Sequence, residues 1–193
     1  MGAMFHFIFL LIKIAILSSV YALILLIVFS QIKKSKPESW FQKVTADKKG
    51  FWLSSWAIIY IMLFFYMFTY WGNHGFGDSA KIPIGNGYLV KNINWTEYAF
   101  VENVKTADGK ILGMTKFLVL NDKLLGNLND NFSFYENRFF LLDMNTGELQ
   151  EFKTKQAFET HNKKNGLPNA IHLKSFNGNY HDYWGGWRFV LLP

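Results

Sequence analysis

The sequence predicts a membrane protein of the α+β class: an N-terminal two-helix transmembrane hairpin, then one small β-rich domain, antiparallel and barrel- or sandwich-like, with a short α-helix. Three observations predict it. Two long apolar runs stand near the N-terminus, lysines concentrate between them, and from Gly72 the chain changes to short β-type runs broken by Gly, Asn and Asp. The expected organisation is a first transmembrane helix over 1–30, a basic cytoplasmic loop over 31–50, a second transmembrane helix over 51–72 and an extracytoplasmic domain over 73–193.

The first run, 5–29, holds one charged residue, Lys13, and the second, 51–71, holds none. Each exceeds the ~20 apolar residues that cross a hydrocarbon core of ~30 Å as a helix. A secretory signal would have a basic start, a shorter apolar core and a small-residue cleavage site. Here the residues before Lys13 are apolar and Lys33-Lys34 follows the run, so a retained helix is expected, with Met4 a second candidate start. In the second run Trp52 and Trp56 stand near one end and Tyr70 and Trp71 at the other, the spacing of an aromatic belt at headgroup level.

The net charge of +6 raises nucleic acid as a partner until the charge is located. Lys33, Lys34, Lys36, Lys43, Lys48 and Lys49, against Glu38 and Asp47, put most of it between the two runs, whereas the chain from Gly72 onward is close to neutral. Nucleic acid is therefore not an expected partner. Short basic loops stay in the cytoplasm, which predicts a two-pass protein of the bacterial inner membrane with both termini outside. Cysteine is absent, so disulfides, thiolate metal sites and a cysteine nucleophile are excluded.

Within the domain, 81–90 reads as strand, Gly-Asn-Gly turn and strand. Further strands are expected over 96–101 and 111–120, with a turn at 107–110. The clearest hairpin is 138–152, where Gly147 supplies the positive φ that the turn needs. Thr154 is placed to N-cap a helix to about Asn165, with Ala157 and Phe158 inward, Gly166 as the stop and Pro168 beyond. That helix is expected across an edge or open end of the sheet. The aromatic run 184–193 is expected as a last strand.

Chemistry is sparse. Lys13 lies inside the first span, where an uncompensated ammonium costs at least ~2.5–3.5 kcal/mol. An ion pair with a partner protein or lipid phosphate, or a place in a proton path, would use it. Snorkelling to the interface is the simpler expectation. His74 and Asp78, in a Gly-rich loop after the second span, suit anion binding or a hydrolytic site, or a tight turn. Tyr180, Tyr183, Trp184, Trp187 and Arg188 have the residue types of a binding hot spot; core packing of the last strand is the alternative. His161, His172 and His181 lack metal-ligand spacing and no nucleophile motif occurs. No metal, no cofactor and no enzymatic activity are expected.

Two functions follow. One is a non-enzymatic subunit of a cell-envelope complex, whose partners are membrane lipid and another membrane or envelope protein, or a second copy of itself. The other comes from layout: two N-terminal spans and then a β-rich domain resemble the two-helix, β-barrel effectors of bacterial cyclic-nucleotide anti-phage systems. The resemblance implies a ligand-sensing domain in the cytoplasm, opposite to the side predicted by the lysines.

Overall fold

A computed structural model describes residues 2–35, 40, 43, 45–73, 79–129 and 138–193. The chain forms two compact units, Met1–Gly72 with Gly186–Pro193, and Asn73–Gly185.

In the first unit, α1 is Gly2–Ser35 and α2 is Lys48–Tyr66. Both helices are long, predominantly apolar runs, interrupted in α1 by Lys13 and Ser18-Ser19 and in α2 by Ser54-Ser55. Asp47 starts α2 by accepting the Gly50 N–H at 3.0 Å, which satisfies one of the donors a helix N-terminus leaves open. The helices pack antiparallel. Leu10, Ile14, Ser18 and Ala22 are buried at four-residue spacing on α1, the interval that keeps residues on one helix face. Ser18 and Ala22 keep that face narrow, and the Ser18 hydroxyl is satisfied within the helix by the Ile14 carbonyl, 2.7 Å away. Facing this stripe, Met67, Tyr60, Leu63 and Phe64 pack around Leu10 and Ile14. Farther along, Phe29 meets Phe51 at 5.4 Å. The Trp56 indole donates to the Ala15 carbonyl at 3.0 Å, so this ring joins the two helices.

Helix α2 begins at Lys48 and stops at Tyr66, against the expected 51–72, because turns take over at its end: the Met67 and Phe68 N–H groups bond Leu63 and Phe65 carbonyls. Gly72 follows where a Cβ would fall 2.1 Å from the Met67 carbonyl oxygen. Both helices, over Met4–Ile32 and Lys48–Tyr66, are long and apolar enough to cross a membrane.

The second unit is an antiparallel open sheet. Its strands are β1 Ser79–Gly85, β2 Tyr88–Ile93, β3 Ala99–Lys105, β4 Ile111–Leu120, β5 Lys123–Leu128, β6 Phe139–Asp143 and β7 Leu149–Phe152, paired in sequence order, with β8 Lys174–Ser175 added to β4. Two-residue turns with both central residues at positive φ join β1 to β2 at Asn86-Gly87 and β4 to β5 at Asn121-Asp122, the backbone twist that suits a tight hairpin. Strand β4 shifts register between Met114 and Phe117. Asn127 on β5 fills that irregularity, its Oδ1 accepting the Thr115 and Lys116 N–H groups and its amide donating to the Thr115 hydroxyl. The Asn86 amide donates to Asn145 Oδ1 at 2.8 Å, tying the first turn of the sheet to the last.

The sheet has two apolar faces only in its second half. Phe140 and Leu142 point into the larger core with Val90, Leu112, Met114 and Phe117, whereas Phe139 and Leu141 point into a second core with Leu125, Phe152 and Phe158. This explains the unbroken Phe-Phe-Leu-Leu run of β6, since a strand covered on both sides does not alternate.

Helix α3, Lys155–Lys164, builds the second core and follows the expected caps: Thr154 accepts the Ala157 N–H and Gly166 has φ 65°. Its inward residues are Phe158 and Asn162; Ala157 is exposed, because the Phe158-Asn162 interval is the one that keeps to a single face.

The expected last strand is not formed. After a 3₁₀ turn at Ala170–His172, the chain enters α4, Phe176–Trp184, and then α5, Trp187–Leu191. Ser175 caps α4 by accepting the Gly178 N–H. Phe176, Tyr180 and Trp184 recur every four residues, a helical and not a strand period. Gly186, at φ 61°, separates α4 from α5, and α5 belongs to the first unit.

Candidate functional site

In the second unit α4 lies against β4 and β1, pressing Phe176, Tyr180 and Tyr183 onto the larger core. The Asn179 amide donates to the Phe117 carbonyl of β4 at 2.9 Å, and the Trp184 indole donates to the Lys81 carbonyl of β1 at 2.8 Å. Trp184 is thus buried, with its one polar group satisfied, and its ring meets Tyr183 edge-on at 4.9 Å. Burial pushes the Tyr180 phenol well above its ordinary value, against a smaller opposing pull from the Asn73 side chain. Tyr180 is therefore neutral and uncharged across the physiological range.

The exposed member of this cluster is Trp95. Asn94 and Trp95 form the turn after β2, both at φ 56°. For an L residue the left-handed region costs roughly 1–2 kcal/mol, and a bulky aromatic there is an outlier. Neighbouring groups hold the turn: buried Asn92 donates to the Thr96 and Tyr98 carbonyls, each at 2.7 Å. The Trp95 ring packs edge-on to Tyr180 at 5.0 Å and near Phe176 at 6.4 Å, yet stays 39% exposed. A partly exposed tryptophan on a strained turn, backed by the partly buried Tyr180, has the properties of a binding anchor. Nearby on the sheet, Lys81 is paired in register with Lys91. Burial, then the Lys91 charge, lowers the Lys81 ammonium from its ordinary value, and Lys91 is held by Glu102 at 2.5 Å.

The residues singled out from sequence are dispersed. Tyr183 and Trp184 join the cluster under α4, with Tyr180. Trp187 and Arg188 lie on α5 in the first unit, the Arg188 guanidinium carbon 5.2 Å from the Trp187 ring centre. Lys13 is also in the first unit, its ammonium 4.6 Å from the centre of the Phe189 ring. His74 and Asp78 fall outside the described residues. Trp95 was not among the sequence candidates; it lies in the five-residue connection between β2 and β3, where no local motif marks it.

One small cavity opens beside Thr106, Asp108, Lys110, Leu128 and Arg138. It holds about 20 Å³, room for roughly one water, and Arg138 is engaged by Glu151 at 2.6 Å and Asp108 at 3.5 Å. Among the described residues no three His, Asp or Glu side chains gather in a way that could hold a metal ion. Against known proteins the chain matches no family, no curated sequence and no solved structure.

Proposed function

We propose that the chain is a two-pass membrane protein that acts as a non-enzymatic subunit of a cell-envelope complex, docking a protein partner through the Trp95 surface of its β-rich unit on the non-cytoplasmic side. The observation that carries the reading is the exposure of the two apolar helices. None of α2 and only 17% of the most apolar stretch of α1 is buried within the protein. A core helix of a soluble protein would be covered, whereas Ile12, Ile16, Val20, Leu23, Leu53, Ile58, Ile61 and Phe65 all face outward. So large an apolar surface requires lipid or protein around it. The six lysines between the two apolar runs, at the end of α1, in the connection and at the start of α2, support this orientation by the positive-inside rule.

The test is cysteine labelling in this cysteine-free chain. Ile171→Cys, at a position 83% exposed on the β-rich unit, and Lys43→Cys, between the helices, are treated in intact spheroplasts with a membrane-impermeant maleimide. Labelling at 171 and not at 43 is expected. A stoichiometric partner retained in mild detergent should then be lost on Trp95→Ala while the protein remains in the membrane. Labelling at neither position until the cells are opened defeats the outward orientation.

A ligand-gated effector is the second reading. What favours it is the layout alone, two apolar N-terminal helices followed by an antiparallel meander sheet; the sheet is open, with β1 and β7 not paired to each other, and so departs from the closed barrel of the two-helix effectors. Labelling at 43 alone would favour it, and a cyclic-nucleotide-dependent change in oligomer size would be the next measurement.

A further inference from the structure

The first unit ends in a segment that neither helix accounts for. After Gly186 the chain forms α5, and four of its five residues, Trp187, Phe189, Val190 and Leu191, are large apolar side chains with nearly half or more of their surface exposed. This segment is not loose. Phe189 lies over the Lys13 ammonium, and the Tyr21 hydroxyl donates to the Leu191 carbonyl at 2.5 Å. At 1.5 Å rise per residue, Lys13 and Tyr21 are about 12 Å apart along α1, and they bracket Ser18, the middle of the apolar stretch Met4–Ile32. Alpha-5 therefore runs beside the centre of α1, with Phe189 against Lys13 and much of the surface of Trp187, Phe189, Val190 and Leu191 left exposed.

Given the membrane reading above, on which this rests, we infer that α5 is a membrane-embedded segment whose partner is lipid acyl chain: it enters the bilayer beside α1 and lies between the levels of Lys13 and Tyr21, around the midplane at Ser18. The chemistry of each contact fits such a site. The Tyr21 hydroxyl satisfies a carbonyl near the free end of a short helix, where intrahelical partners run out and lipid supplies none. The Phe189 ring face lies against an ammonium that has no acidic residue to pair with in either apolar run. Arg188 and Trp187, at the start of α5, stand at the end nearer the headgroups, where an arginine stem and an indole are at home. The β-rich unit is then continuous with membrane-embedded chain at both of its ends.

The experiment uses the full-length protein in liposomes, with nitroxide spin labels on Val190→Cys, Ile58→Cys and Ile171→Cys, and a second α5 position, Trp187→Cys, should the first fail to reconstitute. Val190 and Ile58 are equally exposed, 62% and 60%, so local crowding does not separate them. Collision with oxygen, which concentrates in lipid, is compared with collision with a water-soluble nickel chelate. High oxygen and low nickel accessibility at 190, matching 58 and reversed at 171, is the expected result. Nickel access at 190 with lipid values at 58 overturns the inference and leaves the membrane reading standing. Nickel access at both 190 and 58 removes the membrane reading itself. Low access to both reagents at 190 overturns the inference in favour of a second copy of the chain packed on α5.

Discussion

Removing the ring of Phe158 is a severe test of the account of the second core. Phe158 is fully buried on α3, its ring stacked on Phe139 at 4.9 Å and edge-on to Phe152 at 5.5 Å. Truncation to alanine deletes the side chain that fills the space between α3 and the β5–β7 face and breaks both ring pairs. Buried Phe→Ala substitutions cost about 3–5 kcal/mol, and each aromatic pair contributes about 0.5–1.5 kcal/mol beyond area, so about 4 kcal/mol is expected. Unfolding a unit of about 110 residues carries an entropy near 0.23 kcal/mol/K, which converts this loss into a fall of about 15–20 °C in Tm. The assay is thermal unfolding of the full chain in detergent, followed by near-ultraviolet circular dichroism. Ile171→Ala, on the exposed 3₁₀ turn, is the control and should not move Tm. A fall under 5 °C for Phe158→Ala would refute the second core as a load on stability and would leave α3 a loosely attached surface helix.

The remaining predictions use the same measurement. Gly126→Ala should destabilise by about 1–3 kcal/mol, the range for overpacking a filled core, because its Cβ would sit 2.6–2.9 Å from the Phe140 ring and the Lys116 carbonyl oxygen. No loss for this substitution would mean that β5 and β6 are not packed as described. Trp184→Phe keeps an aromatic ring but loses part of the buried volume and the hydrogen bond to the Lys81 carbonyl, so a loss of about 1–3 kcal/mol is expected, against the larger loss for Trp184→Ala. The Asp143 carboxyl is held below its ordinary value of 3.8 by Lys123 first and then by the Asn145 and Thr146 N–H groups. A lowered carboxyl pKa contributes stability above the unfolded value and loses it as pH falls through the lower folded one. Asp143→Asn should therefore lower Tm by a constant amount at neutral pH, with the gap closing below about pH 4; a gap that persists in acid would count against the Lys123 pairing.

Much of the architecture was legible in the chain because its determinants are local. Thr154, Gly166 and Pro168 mark the ends of α3 within one helical turn of each boundary, and Asn86-Gly87 and Gly147 supply the backbone angles of their turns without reference to anything distant. The apolar lengths of α1 and α2 are equally direct. Other decisions required partners far along the chain. The run 184–193 is apolar enough for a strand or a helix; it became helical because Phe176, Tyr180 and Trp184 all find one core at four-residue spacing, and because α5 has α1 to lie on. Asn127 reads as an ordinary polar residue until the register shift in β4 brings two unpaired N–H groups to its side chain.

The candidate site divides the same way. From sequence, Tyr183, Trp184, Trp187 and Arg188 formed one aromatic group by proximity in the chain; folding assigned the first two to the β-rich unit and the last two to the helical one. Trp95 carried no local motif, and its role emerged only when the turn after β2 met Tyr180, 85 residues later. Caps, turns and apolar length were determined by the sequence itself, since they depend on dihedral preferences and transfer free energies of neighbouring residues. Which apolar surface was covered, and by what, was decided only by tertiary structure, since burial is a property of residues brought together from distant parts of the chain.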